Sequence, residues 1–75
     1  MKIAVLGAGA WGTALAQLLA VGRHAVTLWG HDPDHLGELR TTGRNERYLP
    51  GIRLEEKLKF ETDARRAVAD ADCVV

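Results

Sequence analysis

The sequence predicts an α/β fold built around a parallel β-sheet. Short apolar runs alternate with segments of helical periodicity in the order β-α-β-α-β-α-β over 75 residues, and no internal repeat or low-complexity segment interrupts them. Parallel strands need long crossover connections, which helices usually provide. The alternation therefore favours right-handed crossovers that pack helices against a sheet.

The first unit of the pattern is a strand followed by a helix. Ile3–Leu6 is a continuous apolar run that ends at Gly7, which is typical of a strand buried on both faces. A segment rich in Ala and Leu follows, and Gly22 stands where a left-handed C-terminal cap is expected. The apolar residues at helical spacing in this segment are Trp11, Ala14, Leu15, Leu18 and Leu19.

The second unit repeats the strand and the helix. Ala25–Trp29 is rich in Val, Thr and Trp, residue types that favour a strand. Asp32 and Pro33 are then suited to be the N-cap and the first residue of a helix, with Gly43 beyond its end.

The rest of the chain predicts a long loop and a third unit. Residues 43–57 are polar and irregular, and a connection of that length indicates a functional loop. Leu58–Glu61 predicts a third strand, Thr62 is suited to cap a third helix, and Cys73–Val75 begins a fourth strand. Because the sheet order would make this last strand central, we expect a chain truncated inside its fourth strand.

Composition and charge exclude several classes of protein. Ten basic and ten acidic residues cancel, so nothing predicts bulk attraction to nucleic acid or to an anionic membrane. A single cysteine cannot form an internal disulfide, and no Cys and His pairs stand at zinc-ligand spacing. The longest uncharged run, Ile3–Gly22, is broken by glycines and polar residues, unlike a membrane span or a signal peptide. We therefore expect a cytoplasmic protein without an integral membrane segment, a metal site or a nucleic-acid partner.

The neutral charge is unevenly distributed along the chain. Residues 1–31 carry two bases and no carboxylate, a net charge of +2, and residues 32–75 carry −2. A small anion would meet less repulsion at the first segment.

A glycine-rich motif joins the first strand to the first helix. Residues 7–12 read G-x-G-x-x-G inside a βαβ unit of about 30 residues, which is the context of the dinucleotide-binding fingerprint of Rossmann-type folds. In that interpretation Gly7 makes the tight turn, Gly9 lets the backbone approach a pyrophosphate, and Gly12 lets the helix pack close to the strand. We therefore predict a Rossmann-type doubly wound parallel sheet.

Phosphate oxygens would be held by free backbone amides near Ala10 and Trp11, at the positive end of the helix dipole. The alternative is that the glycines only make a close strand-to-helix turn in a protein that binds nothing. The Trp11 ring is suited either to pack under a cofactor or to fill the helix–sheet interface. Tyr48, in the long loop, either meets the cofactor or is an ordinary surface residue.

The choice between NAD and NADP depends on the residues after the second strand. NAD-specific sites often have a carboxylate there, whereas Gly30 occupies that place here. A small residue leaves room for the additional phosphate of NADP, and His31 offers a donor that can carry a positive charge. We therefore expect a site that tolerates NADP, with two alternatives: Asp32 as a helix cap rather than a ribose ligand, and His31 as a solvated loop residue.

Three other residues are not expected to carry chemistry. Cys73 lacks any nucleophile motif and is predicted to be a core residue. His24 and His35 have no partner pattern and are predicted to lie on the surface.

Three strings together carry a family resemblance. Residues 2–16 read KIAVLGAGAWGTALA, residues 26–33 read VTLWGHDP, and residues 45–51 read NERYLPG. In combination they resemble the N-terminal part of the bacterial NAD(P)-dependent glycerol-3-phosphate dehydrogenases. The similarity covers essentially all 75 residues.

The resemblance implies an oxidoreductase that interconverts sn-glycerol 3-phosphate and dihydroxyacetone phosphate with NADP or NAD, for glycerophospholipid synthesis in the cytoplasm. Ala10 stands where the family often has a polar residue, so only its backbone amide is available, and His31 stands where Arg is common. The cofactor contacts that the resemblance implies are Gly7, Gly9, Ala10, Trp11, Gly12, His31 and Tyr48.

The resemblance also places the catalytic lysine and the substrate-binding residues in a later helical domain. Residues 1–75 are then the N-terminal part of a dinucleotide-binding domain, with no catalytic residue and no activity on their own. The full-length protein would take a small phosphate substrate, and a homo-oligomer is left open. Two alternatives remain: another β-hydroxyacid-type NAD(P) dehydrogenase, and a nucleotide-binding module without catalysis.

Overall fold

A computed structural model describes all residues from 1 to 75. The strands are β1 (Lys2–Leu6), β2 (Ala25–Trp29), β3 (Arg44–Asn45), β4 (Leu49–Arg53), β5 (Lys59–Glu61) and β6 (Cys73–Val74), and the helices are α1 (Ala10–Val21), α2 (Pro33–Thr42) and α3 (Ala64–Val68). Four strands form a parallel sheet in the order β5-β2-β1-β6, so the predicted α/β class is confirmed.

The order of the strands creates a reversal point beside β1. The chain runs outward from β1 to β2 and β5, and then crosses back to place β6 on the other side of β1. In open parallel sheets, ligands bind at the carboxyl ends of the strands where the strand order reverses. The glycine-rich segment follows β1 directly and therefore lies at this edge.

The core lies where the helices face the sheet. Alternate β2 residues and the middle of β1 are buried, and α1 turns its small residues toward them. Small side chains on α1 let the helix approach the sheet closely. The apolar cluster contains Ile3, Val5, Ala8, Ala16, Ala20, Val26, Leu28, Leu36, Leu39, Leu54 and Leu58.

The segment predicted to be an irregular loop contains a small antiparallel sheet. β3 pairs with β4, with Arg44 opposite Arg53 and a register shift beside Asn45. The strands were missed because β3 is only two residues long and its partner carries both Pro50 and Gly51, which usually indicate a turn. Gln17 Oε1 accepts a hydrogen bond from the Glu55 amide at 2.6 Å, which fastens the segment after β4 to α1.

Three other local predictions were wrong. Gly22 has φ −74°, and the left-handed residue after α1 is Arg23, with φ 69°. The N-cap of α3 is Asp63 rather than Thr62, since the Asp63 carboxylate accepts hydrogen bonds from the amides of Arg65 and Arg66 in the first turn of α3. Cys73 is exposed rather than buried, because β6 is an edge strand that pairs only with β1.

None of the three helices has the length and apolarity needed to cross a bilayer. No cluster of three or more His, Cys, Asp or Glu side chains is arranged to hold a metal ion.

Candidate functional site

The glycine-rich turn begins with a backbone conformation that suits only glycine. Gly7 has φ 117°, a value that residues with a Cβ rarely adopt. Its amide still donates to the Trp29 carbonyl at 2.9 Å, so the pairing between β1 and β2 continues to the point where the chain turns. The prediction that Gly7 makes the tight turn is confirmed.

Gly12 sets how close α1 comes to this turn. A Cβ on Gly12 would overlap the carbonyl oxygen of Gly7 and lie 3.0 Å from its carbonyl carbon. The predicted close approach is confirmed, and the group that α1 touches is the backbone of Gly7. By contrast, a Cβ on Gly9 would meet no atom within 4 Å. Gly9 therefore borders open space while Gly12 borders backbone.

The first turn of α1 offers backbone donors to an anion. Gly9 is the N-cap and supplies no side-chain acceptor, and the first intrahelical bond runs from the Thr13 amide to the Gly9 carbonyl at 3.0 Å. The amides before Thr13 therefore have no partner within the helix. No acidic residue lies in this turn, and Ala10 and Trp11 are exposed. Partial positive charge and free donors together suit a phosphate group.

A buried polar network lies directly beneath the turn and is centred on Asn45, which is 1% exposed. Its Nδ2 donates to the Ala8 carbonyl at 3.1 Å and to Thr13 Oγ1 at 2.8 Å. Its Oδ1 lies 2.9 Å from His35 Nε2 and 3.4 Å from the Tyr48 amide. One side chain from β3 thus joins the glycine-rich turn, α1 and α2.

The partners of Asn45 determine its orientation. The Ala8 carbonyl only accepts, so it must face the amide nitrogen of Asn45, and the Tyr48 amide only donates, so it must face the oxygen. Because the oxygen of Asn45 can only accept, His35 Nε2 carries a hydrogen and donates it. All four hydrogen-bonding positions of Asn45 are used, and no buried side-chain polar atom of the chain lacks a partner.

Gly30 has a packing reason to be small. A Cβ at this position would lie 3.0 Å from Leu36 Cδ2 and 3.1 Å from Ala8 Cβ. Those distances are tighter than ordinary contacts, and they show that the missing side chain would point into the core. Packing thus accounts for a glycine at position 30, and the expectation that Gly30 makes room for a phosphate stays a prediction.

His31 and Asp32 follow at the same edge of the sheet. His31 is exposed, with its ring centroid 6.4 Å from that of Trp29. One carboxylate oxygen of Asp32 accepts from the amides of Asp34 at 3.0 Å and His35 at 3.3 Å, which confirms Asp32 as the N-cap of α2. The cap leaves its other oxygen facing away from the helix.

Asp32 is held in its ionised form by its surroundings. The hydrogen bond from the His35 amide is the main influence that lowers the pKa of Asp32 below 3.8, with smaller contributions from the Asp34 amide and Arg47. The Arg47 guanidinium lies 3.9 Å from the second carboxylate oxygen, in an exposed ion pair. A negative charge at position 32 is thus partly balanced at the edge where a ribose would lie.

The two aromatic residues singled out in the sequence differ in their environment. Trp11 is 83% exposed, so it does not fill the helix–sheet interface. Tyr48 is half-exposed, with its ring edge-on to His35 at a centroid distance of 5.4 Å. Trp11 lies within the glycine-rich residues 7–12, the Tyr48 backbone amide is linked to Ala8 through Asn45, and both side chains are accessible to solvent.

Comparison with known protein families shows which family this sequence matches. The model described as the NAD-dependent glycerol-3-phosphate dehydrogenase N-terminus matches residues 2–75. The chain belongs to this family.

Individual relatives agree with the family model. A glycerol-3-phosphate dehydrogenase (NAD(P)+) of Xanthomonas euvesicatoria pv. vesicatoria is 53% identical over 74 residues, which are 99% of this chain and 22% of the relative. One of Prosthecochloris aestuarii is 49% identical over 75 residues, which are 100% of this chain and 23% of the relative. The chain therefore spans about a fifth of the length of these curated relatives.

Solved structures of glycerol-3-phosphate dehydrogenases share the fold. The one from Coxiella burnetii superposes with a TM-score of 0.89 at 41% identity, covering 97% of this chain and 22% of that chain. The Saccharomyces cerevisiae structure gives a TM-score of 0.87 at 29% identity, covering 99% and 25%. The predicted Rossmann-type parallel sheet and the predicted family are both confirmed.

The structure of this family member brings together residues that belong to different sequence motifs. The backbone amide of Tyr48 is joined to the glycine-rich turn through Asn45, and His31 follows Gly30, where a Cβ would lie 3.1 Å from that of Ala8. Sequence reasoning missed the buried network, since His35 was predicted to lie on the surface and is only 6% exposed. The one signal available was that Asn45 opens the NERYLPG string.

Proposed function

We propose that this chain binds NAD or NADP at the edge formed by the glycine-rich turn, as the cofactor-binding portion of a glycerol-3-phosphate dehydrogenase. The observation that carries the proposal is the set of unpartnered amides at the start of α1, in a chain that belongs to an NAD-dependent family. The activity that follows is the interconversion of sn-glycerol 3-phosphate and dihydroxyacetone phosphate.

The glycine-rich turn fits a pyrophosphate in shape and in charge. The open space beside Gly9 allows close backbone approach, and the amides of Gly9, Ala10 and Trp11 are the donors. No carboxylate in the first turn of α1 repels the phosphates. The exposed Trp11 ring provides an apolar surface next to these donors.

Residues after β2 and in the β3–β4 connection would surround the adenosine end of the cofactor. His31 is exposed and suited to donate to a 2′-phosphate, while Asp32 carries the carboxylate that would bond ribose hydroxyls or repel that phosphate. Arg47 reduces the repulsion through its ion pair with Asp32. A site with both signs of charge is consistent with use of either cofactor, with the half-exposed Tyr48 ring nearby.

The bound nicotinamide cofactor supplies the hydride, and the residues of this chain bind and orient it. We place residues 1–75 in the N-terminal part of a dinucleotide-binding domain, and the groups that act on the phosphate substrate in a later helical domain of the protein. The proposed role is glycerophospholipid synthesis in the cytoplasm. We expect residues 1–75 on their own to bind cofactor without turnover.

Calorimetric titration of the protein with NADH tests the binding proposal. A methyl group in the Gly9→Ala variant would occupy the space where the pyrophosphate approaches, and weakened phosphate contacts should lower the affinity about tenfold or more. Gly37→Ala is the matched control, because a Cβ at Gly37 also meets no atom within 4 Å but lies on α2. Equal NADH affinity in the wild type and Gly9→Ala, with both folded, would contradict the assigned site.

A further inference from the structure

Asn45 acts on the glycine-rich turn through a single carbonyl group. Its Nδ2 donates to the oxygen of Ala8 at 3.1 Å, in an environment where Asn45 is almost completely buried. The two residues are 37 positions apart in the chain, so this is a tertiary contact. The Ala8 carbonyl is thereby held toward the interior of the protein.

The orientation of that carbonyl decides where the next amide points. The chain has no cis peptide bond, and in a trans peptide the carbonyl and the following N–H point in opposite directions. With the Ala8 oxygen held toward Asn45, the Gly9 N–H must point away from the network. The Gly9 amide donates to no acceptor in the protein, in agreement with this direction.

The glycines of the turn contribute little to holding this orientation. Gly7 and Gly9 flank Ala8, and glycine populates a much wider range of φ and ψ than other residues. A Cβ at either glycine would meet no atom within 4 Å, so both glycines border open space on that side. The hydrogen bond from Asn45 restrains the Ala8–Gly9 peptide directly.

We propose that Asn45 is a positioning residue for the phosphate-binding turn. By holding the Ala8 carbonyl inward, it aims the Gly9 amide at the pyrophosphate of the cofactor before the cofactor arrives. Preorganised donors bind more tightly because the cost of ordering them is already met in the free protein. This role rests on the proposed binding of a dinucleotide.

The network explains why the residue is asparagine. Position 45 must donate to Ala8 and Thr13 and must also accept from His35 and the Tyr48 amide. An amide has two hydrogens and an acceptor oxygen, whereas an ionised carboxylate has no hydrogen to donate. An aspartate of the same shape would therefore set an oxygen against the Ala8 carbonyl oxygen.

The Asn45→Asp variant tests the proposal in the purified protein. Titrations would use ADP-ribose, which contains a pyrophosphate, and adenosine, which does not. We expect Asn45→Asp to weaken ADP-ribose binding by about tenfold while adenosine binding changes less than about twofold. A purely structural role would weaken both ligands together.

Gln17→Leu is the matched control for the stability of the fold. It removes another tertiary hydrogen bond of α1, the one to the Glu55 amide, without touching the glycine-rich turn. We expect Gln17→Leu to lower the unfolding temperature and to leave ADP-ribose affinity unchanged. A loss of ADP-ribose affinity in Gln17→Leu as large as that in Asn45→Asp would overturn the proposal.

A measurement on the wild type keeps the test independent of how the variant folds. In amide-resolved NMR, the Gly9 proton resonance should move downfield when ADP-ribose is added and stay unchanged with adenosine. If ADP-ribose binds but the Gly9 resonance does not move, the role of Asn45 is overturned while the proposed function stands. Wild-type protein that binds neither ADP-ribose nor NADH overturns the proposed function and this inference with it.

Discussion

The Gly12→Ala substitution is expected to destabilise the fold strongly, because the new methyl group would collide with backbone. Its carbon would overlap the Gly7 carbonyl oxygen, and ordinary contact could be restored only if α1 moved away by well over an ångström. A neighbouring side chain could rotate aside, whereas the Gly7 carbonyl is part of the backbone of a residue whose amide is paired with the Trp29 carbonyl.

The size of the effect follows from overpacking and from the length of the chain. Overpacking costs about 1–3 kcal/mol, and a clash with backbone belongs at the upper end. A protein of this length has roughly 4–11 kcal/mol of stability in total. At about 4–8 °C per kcal/mol, a loss of about 3 kcal/mol lowers the unfolding temperature by about 12–24 °C.

Thermal unfolding followed by circular dichroism measures this shift. Gly37→Ala is the control for adding a methyl group to a helical glycine, since its Cβ meets no atom within 4 Å. We expect the control to stabilise the protein by up to about 1 kcal/mol, because alanine favours a helix over glycine. A Gly12→Ala protein that unfolds within about 5 °C of the wild type would refute the argument that α1 rests on the Gly7 carbonyl.

Two further predictions concern the residues that follow β2. The pKa of Asp32 is lowered in the folded state, chiefly by the hydrogen bond from the His35 amide. The ionised form of Asp32 therefore stabilises the protein above pH 3.8, and this contribution is lost as the pH falls through the folded pKa. Urea unfolding gives the free energy of unfolding at each pH, and the difference between the wild type and Asp32→Asn should shrink below about pH 4. A difference that stays constant down to pH 2 would contradict this. His31→Ala should weaken NADPH binding about tenfold and NADH binding much less, as calorimetry would show, because only NADPH offers a phosphate to this side chain. His24→Ala, on the segment before β2, is the control, and equal losses for the two cofactors would show that His31 does not contact the 2′-phosphate.

Local signals in the sequence were sufficient for the parallel sheet and for the motif that begins it. Apolar runs predicted β1 and β2, and Asp32 followed by Pro33 predicted the start of α2, because strands and helix caps depend on neighbouring residues. The roles of Gly7 as a turn and Gly12 as a close contact also followed from their spacing alone.

Predictions failed where residue type had to be converted into position within the fold. Cys73 was predicted to be buried, yet within residues 1–75 it is exposed, because β6 has a neighbouring strand on one side only, and hydrophobicity does not specify how many neighbours a strand has. The hairpin of β3 and β4 was missed because short strands have too few residues for a period to show. For Gly30, interpreted as space for a ligand, the structure adds a packing reason that the sequence did not reveal, since a Cβ there would crowd Leu36 and Ala8.

By itself the sequence determined the α/β class and the glycine-rich turn, since both depend on the spacing of nearby residues, and three of its strings carried the resemblance to the family. Only the tertiary structure decided that Asn45 reaches Ala8, 37 residues away, and Thr13, 32 residues away. A sequence alone does not distinguish a polar side chain that faces water from one that lies in a buried hydrogen-bond network. Asn45 and His35 can be internal because the fold places partners opposite both polar atoms of Asn45 and opposite Nε2 of His35, which offsets the cost of burying them.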